Sequence, residues 1–178
     1  MKQYNDVSAQ DISWVKSNRN VLGPIKGIRH LFYPESMQEL VALVEELRAA
    51  GSPYLVIGYS SNTLFLPSFR IDNVISTKYL NHWEETETHI VCQCGVSVSL
   101  LSKEMVRKGY AGFEGLTDLP GTLAAAVYGN CGCRGCSVLS LVDHFTLLLP
   151  DGRTECQTPQ NINPTLKSTA LKRGERGE

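Results

Sequence analysis

Between Gly112 and Cys136 lie six of the chain's 15 glycines, with few charges and mostly small side chains. The run reads Gly-Phe-Glu-Gly-Leu-Thr-Asp-Leu-Pro-Gly-Thr-Leu-Ala-Ala-Ala-Val-Tyr-Gly-Asn-Cys-Gly-Cys-Arg-Gly-Cys. Such a run buries little side-chain area of its own and lets backbone come close to something else. Pro120-Gly121-Thr122 followed by Leu123 to Val127 predicts the opening of a short helix. The first N–H groups of a helix lack internal partners and lie at the positive end of its dipole, so a phosphate is a natural guest there. A tight helix–sheet contact that needs only small residues is the competing explanation. A second small-residue loop, Gly58-Tyr59-Ser60-Ser61-Asn62-Thr63, shifts the balance, because it directly follows the apolar run Tyr54-Leu55-Val56-Ile57. Backbone N–H groups and short donors in a turn have the make-up of an anion nest.

Composition narrows the class. Hydrophobic residues make up 42% of the 178, which argues against disorder and allows one domain or two small lobes. The net charge is -1 and no basic block interleaves with aromatics, so a nucleic-acid surface is not expected. The first residues carry no apolar core of a signal peptide, and no apolar run approaches the about 18 residues of a membrane span. A cytoplasmic protein with no membrane partner is the expectation.

Six cysteines stand at 92, 94, 131, 133, 136 and 156, and in a cytosolic chain they read as thiols rather than disulfides. Cys131-x-Cys133-x-x-Cys136 has a spacing that soft metals use, but a structural site needs a fourth ligand and no second Cys-x-x-Cys follows. Small buried residues in a glycine loop are the reading preferred here, and no metal is expected.

In chain order, residues 1–28 form an N-terminal arm in which Trp14, Val15, Val21, Leu22 and Ile25 could dock on the body. Leu31-Phe32-Tyr33 reads as a strand ended by Pro34. Ser36 and Glu39 make a capping-box pattern, and Met37, Leu40, Val41, Val44 and Leu47 recur at helical spacing up to Gly51. Tyr54–Ile57 reads as a buried strand, Leu64-Phe65-Leu66 as a return to the core, and Asn73–Ser76 as another strand. Residues 81–88 look like a polar connector. A second round follows: a strand at His89–Cys94, then a helix capped by Ser97 with Val98, Leu101 and Met105 inward. The glycine run and a strand over Leu141–Leu149 come next, then a Pro150-Asp151-Gly152 turn and a return strand to Cys156. Residues 159–178 look polar and frayed. The result is an α+β chain of two lobes, 29–84 and 85–158, each presenting a small-residue loop.

Other sites are not indicated. No G-x-G-x-x-G follows a strand, there is no Gly-Lys dipeptide, and there is no H-E-x-x-H. His30, His82, His89 and His144 show no ligand spacing.

The residues carry a resemblance. Val56-Ile57-Gly58-Tyr59-Ser60-Ser61-Asn62-Thr63-Leu64 is similar to the first FAD loop of the UDP-N-acetylenolpyruvoylglucosamine reductases (UDP-N-acetylmuramate dehydrogenases). Gly112-Phe113-Glu114 through Leu119-Pro120-Gly121-Thr122-Leu123 to Asn130 resembles that family's second, more specific FAD loop, and Leu149-Pro150-Asp151-Gly152 continues the match. The resemblance implies an FAD-binding domain of the vanillyl-alcohol-oxidase type, two α+β subdomains with FAD in the crevice between them. It implies contacts to FAD from Ile57, Gly58, Tyr59, Ser60, Ser61, Asn62 and Thr63, and from Thr117, Leu119, Pro120, Gly121, Thr122, Ala125, Asn130 and Gly132. The first loop holds no His, so noncovalent binding is expected. Tyr59 and Ser60 replace two glycines of the family's first loop, Ala124 stands for a Gly and Arg134 for a Tyr. Lys167 occupies the place of an Arg that helps hold the substrate carboxylate, making it the one candidate catalytic residue.

Two functions follow from the resemblance. The first is an oxidoreductase in which NADPH reduces FAD and hydride passes to the enolpyruvyl double bond of a UDP-sugar, for peptidoglycan synthesis. The second is an FAD-binding module without turnover of its own. The family continues into a substrate domain with a serine proton donor and a glutamate, and this chain ends before either; the second function leaves room for a partner chain that supplies that domain.

Overall fold

The computed structural model describes residues 1–7, 27–63, 65–66 and 68–175. The arm residues Trp14, Val15, Val21, Leu22 and Ile25, and Leu64 of the first loop's exit, lie outside them. The chain divides into two compact units, Met1–His82 and Trp83–Glu178.

In the first unit, strands β1 (Lys2–Val7), β2 (Ile28–Tyr33), β3 (Tyr54–Ile57) and β4 (Ile71–Ser76) form one sheet in the order β1-β2-β4-β3. Lys2–Val7 is thus a strand, not part of an irregular arm; it runs antiparallel to β2. β4 is parallel to both β2 and β3. Between β2 and β3 lies helix α1 (Met37–Ala49). The Ser36 hydroxyl accepts from the Glu39 N–H at 3.1 Å, as the capping pattern requires. The reciprocal bond is displaced by one residue: the Glu39 carboxylate accepts from the Glu35 N–H at 2.8 Å and from the amino terminus at 2.8 Å. That Glu35 N–H, and then the terminal ammonium, holds the Glu39 carboxyl below its ordinary pKa. The buried stripe of α1 is Leu40, Leu43, Val44 and Leu47, whereas Met37 is exposed.

The core of this unit gathers Ile28, Leu31, Tyr33, Ile57, Phe65 and Val74. β3 reads as a buried strand in sequence, yet it is the sheet's edge and Val56 is 48% exposed. Phe65 does return to the core, but Leu66 is exposed. At Gly27 backbone meets backbone: a Cβ there would sit 1.7 Å from the Phe69 carbonyl oxygen.

The second unit opens with a hairpin of β5 (Trp83–Glu85) and β6 (Ile90–Cys92), so the expected polar connector is a strand and a turn. The Thr86 N–H closes that turn on the His89 carbonyl at 2.8 Å. Helix α2 (Val98–Arg107) is capped by the Ser97 hydroxyl, which accepts from the Leu100 N–H. Its inward residues Leu101 and Met105 pack with Val96 against Trp83, Ile90 and Cys92. Helix α3 (Leu123–Tyr128), the short strands β7 (Gly132–Cys133) and β8 (Cys136–Ser137), and the ribbon of β9 (Phe145–Leu148) and β10 (Thr154–Gln157) follow.

Residues 159–175 overturn the expectation of a frayed tail. Ile162 is 0% exposed and Leu171 6%, and both sit in one cluster with Val98, Leu116, Ala126, Val127, Val138 and Leu139. The Ala170 N–H donates to the Ile162 carbonyl at 2.7 Å, and the buried Thr169 hydroxyl donates to the Tyr128 carbonyl at 2.7 Å. A segment can read as polar yet supply two apolar anchors to a core built elsewhere.

Candidate functional site

The second loop is shaped by two consecutive residues, Gly121 and Thr122. Gly121 is buried with φ of +128°, a conformation that side chains disfavour. Thr122 caps α3 with extended backbone, but its hydroxyl makes no cap bond. That hydroxyl is buried, with Thr122 only 1% exposed, and it has no hydrogen-bond partner. A buried hydroxyl without a partner is uncommon and costs stability unless something fills the role.

The helix start itself is not open to a guest in the way the sequence suggests. The Leu123 N–H donates to the Val96 carbonyl at 2.8 Å and the Ala124 N–H to the Cys94 carbonyl at 3.0 Å. With the Val98 N–H donating to the Gly121 carbonyl at 3.1 Å, these bonds zip the turn onto the segment before α2. An anion on the first two helical N–H groups is therefore excluded by neighbouring backbone. The bridge between Ser97 and Thr122 is of the type in which the two paired residues do not bond each other, so the Thr122 N–H points away from Ser97.

Around this turn the other expected contacts divide. Leu119 is half-buried in the core cluster, while Pro120 and Ala125 are exposed. Thr117 serves its own turn: its hydroxyl donates to the Glu114 carbonyl at 3.0 Å and its carbonyl accepts from the Ser99 hydroxyl. Asn130, at φ of 43°, has its amide engaged at both ends. Its Nδ2 donates to the Thr165 carbonyl at 2.8 Å, and its Oδ1 accepts from the Ser137 hydroxyl at 2.5 Å. It braces residue 165 against the β7–β8 hairpin. Gly132 is demanded by that hairpin too, since a Cβ there would lie 2.2 Å from the Cys136 carbonyl oxygen.

In the other unit, the first loop leaves the end of β3. Ile57 is buried, and its carbonyl accepts from the Thr77 hydroxyl at 3.3 Å. Ser60 adopts left-handed backbone at φ of 51° and is buried, and the Thr63 N–H closes the turn on its carbonyl at 3.2 Å. A glycine is the usual residue for that φ, and the short serine side chain takes it here. Gly58, Tyr59, Ser61 and Thr63 are half-buried and Asn62 is exposed. Burial raises the Tyr59 phenol above its ordinary pKa, so it stays a donor at neutral pH. The sequence reading missed Ser76, which ends β4 opposite Ile57, 0% exposed and with no partner for its hydroxyl. A serine closing the apolar run Val74-Ile75 was the available signal. Ligands in open α/β sheets gather at the carboxyl ends of parallel strands, which is where Ser76 and the Gly58 loop lie.

Lys167 is at an exposed turn tip, at φ of 54°, in a two-residue turn closed by reciprocal bonds between Thr165 and Ser168. Its carbonyl accepts from the Lys172 ammonium at 3.1 Å. All six cysteines are free thiols, and among the described residues no three His, Cys, Asp or Glu side chains converge as metal ligands. Among the same residues no helix is long and apolar enough to cross a membrane.

A family model described as an FAD binding domain matches residues 28–156. The UDP-N-acetylenolpyruvoylglucosamine reductase of Chlamydia muridarum is 29% identical over 155 residues, covering 84% of this chain and 51% of the relative. That of Borreliella burgdorferi is 30% identical over 135 residues, covering 75% and 45%. The chain thus spans about half the length of the curated relatives it matches. Among solved structures, the UDP-N-acetylenolpyruvylglucosamine reductase of Thermus caldophilus superposes with a TM-score of 0.67 at 24% identity, covering 97% of this chain and 57% of that one. The 6-hydroxy-D-nicotine oxidase of Arthrobacter nicotinovorans superposes with a TM-score of 0.66 at 14% identity, covering 89% and 36%.

Proposed function

Because the chain belongs to the FAD binding domain family, with an α+β fold of the vanillyl-alcohol-oxidase type, we propose that it binds FAD noncovalently and serves a flavin oxidoreductase. The observation that carries the reading is the Gly121–Thr122 turn, where glycine-only backbone adjoins a buried hydroxyl with no protein partner. Those features fit a phosphate-bearing or flavin oxygen brought close to the chain. The Thr122 hydroxyl would donate to that oxygen, and the N–H groups of Gly121 and Thr122 would orient it. In the other unit, the backbone around Ser60, Ser61 and Asn62 is a further candidate for holding an anionic group of FAD. FAD, when bound, supplies hydride chemistry between a reductant and an acceptor. The name of the reductase relatives suggests an enolpyruvyl UDP-sugar as acceptor, and NADPH is the reductant proposed with it. Lys167 would give the substrate carboxylate a point charge, without the planar fork of an arginine.

A second reading is a binding module that holds FAD without turnover of its own, with a partner chain supplying the substrate site.

Purified protein should be yellow, with a flavin spectrum, and acid should release the colour into the supernatant. A colourless protein that takes up no added FAD would overturn the cofactor assignment. Colour left in the pellet would overturn only noncovalent attachment. The two readings separate on mixing FAD-loaded protein anaerobically with NADPH and UDP-N-acetylglucosamine enolpyruvate. Product formed at about 1–10 s⁻¹, ordinary for enzymes, selects the enzyme, and flavin bleaching without product selects the module.

A further inference from the structure

The cysteine cluster is left unused by the FAD reading, and its geometry is specific. Cys133-Arg134-Gly135-Cys136 is a Cys-x-x-Cys wound into the tip of the β7–β8 hairpin, with Cys133 opposite Cys136. Arg134 and Gly135 both have positive φ, 52° and 80°, as a tight two-residue hairpin turn requires. The next ladder bond, from the Val138 N–H to the Cys131 carbonyl at 2.9 Å, fixes the alternation. Residues 132 and 137 are a non-bonded pair, and 133 and 136 are a hydrogen-bonded one. Alternation along each strand puts the side chains of Cys131, Cys133, Cys136 and Val138 on one hairpin face.

The thiols on that face differ in setting. Cys133 is exposed and Cys136 is half-buried. The Cys136 sulfur is packed over Gly115, where an added Cβ would be 2.6 Å from it. Cys131 is packed at Gly129 in the same way, with its sulfur 3.1 Å from the position of a Cβ. Elsewhere, burial pushes the thiols of Cys92 and Cys94 up to about 11, so they stay protonated. Cys156 is exposed on β10 with no cysteine opposite, its register partner being Thr146.

We propose that Cys133 and Cys136 form a reversible disulfide across the hairpin tip, a modification site for small disulfides such as oxidised glutathione. The Cys133 thiolate attacks one sulfur of the small disulfide, forming a mixed disulfide and expelling one thiolate. The Cys136 thiolate then attacks the Cys133 sulfur and expels the second. The two protons lost by the cysteines end on the two small thiols, so the cysteine pair is oxidised by two electrons and the small disulfide is reduced by two. Cα atoms of a hydrogen-bonded antiparallel pair lie about 5.5 Å apart, inside the range a disulfide spans. Their Cβ atoms must approach to about 3.8 Å, so the bridge tightens the tip and stays easy to reduce. Reversibility is the expected property, in contrast to a structural staple.

The proposal does not depend on FAD, and its test does not read activity. The full chain is equilibrated in glutathione buffers of graded oxidation, quenched with a thiol-blocking reagent in denaturant, and weighed and peptide-mapped. The expected result is loss of two titratable thiols and two hydrogens of mass, a Cys133–Cys136 bridge in the map, and full reversal by dithiothreitol. Cys133→Ser and Cys136→Ser each abolish the bridge, and Cys156→Ser leaves it. A map with no intrachain bridge, a persistent glutathione adduct on Cys133, or a bridge to Cys131 instead would overturn it. The wild-type map decides alone should either serine variant fold poorly.

Discussion

Gly121→Val is expected to weaken FAD binding about 100-fold or more, titrated by quenching of flavin fluorescence. Two physical terms add. The φ of +128° at Gly121 is strained for any side chain, on the order of 1–3 kcal/mol. A branched side chain at a buried position also crowds its neighbours. At about 1.4 kcal/mol per tenfold, two such penalties reach 100-fold. Thr122→Val separates ligand loss from misfolding. It keeps the shape of a residue 1% exposed and removes a hydroxyl with no protein partner. The protein without flavin should therefore melt no lower than wild type, while FAD affinity falls about tenfold for a lost hydrogen bond. Unchanged affinity in folded Gly121→Val would put the cofactor elsewhere. A clear loss of stability in flavin-free Thr122→Val would mean the hydroxyl serves the fold.

Ile162→Ala carries the second large effect, a loss of about 2–5 kcal/mol in a urea melt followed by circular dichroism. Ile162 is 0% exposed and touches the cluster around Leu116 and Val127, so alanine leaves a cavity in the second unit's core. Leu166→Ala is the control four residues on. Leu166 is 92% exposed, and its truncation should stay within about 0.5 kcal/mol. Equal effects at the two positions would return residues 159–175 to the status of a loose tail.

What could be read in advance followed the range of the forces involved. Helix α1 was legible because its cap and stripe are local: Ser36 bonds three residues ahead and the apolar residues repeat every three or four. Even there the pattern placed Met37 inward and overlooked Leu43, which is buried. The small-residue turns were legible because tight backbone leaves its mark in composition. The occupants of the α3 N–H groups were not, since the carbonyls of Cys94 and Val96 reach them from about thirty residues away in sequence. The same holds for the protein partners of Asn130, whose amide ties Thr165 to Ser137. The anchoring of Leu171 could not be seen either, because a lone leucine in a polar stretch has no periodicity to reveal its partner.

The strand order β1-β2-β4-β3 bears on how the chain is made. β2 and β3 are never neighbours; β4 lies between them and is the last of the four to leave the ribosome. A nascent chain that stops short of Ile71 has α1 and two flanking strands but no central strand to hydrogen-bond them. The same delay recurs in the second unit, whose core waits for Ile162 and Leu171. Synthesis at about 5–20 residues per second leaves each half-built core exposed for seconds, a window in which unpaired strand edges invite aggregation. Slowing translation between residues 57 and 71 should therefore lower the yield of folded chain more than slowing it after residue 175.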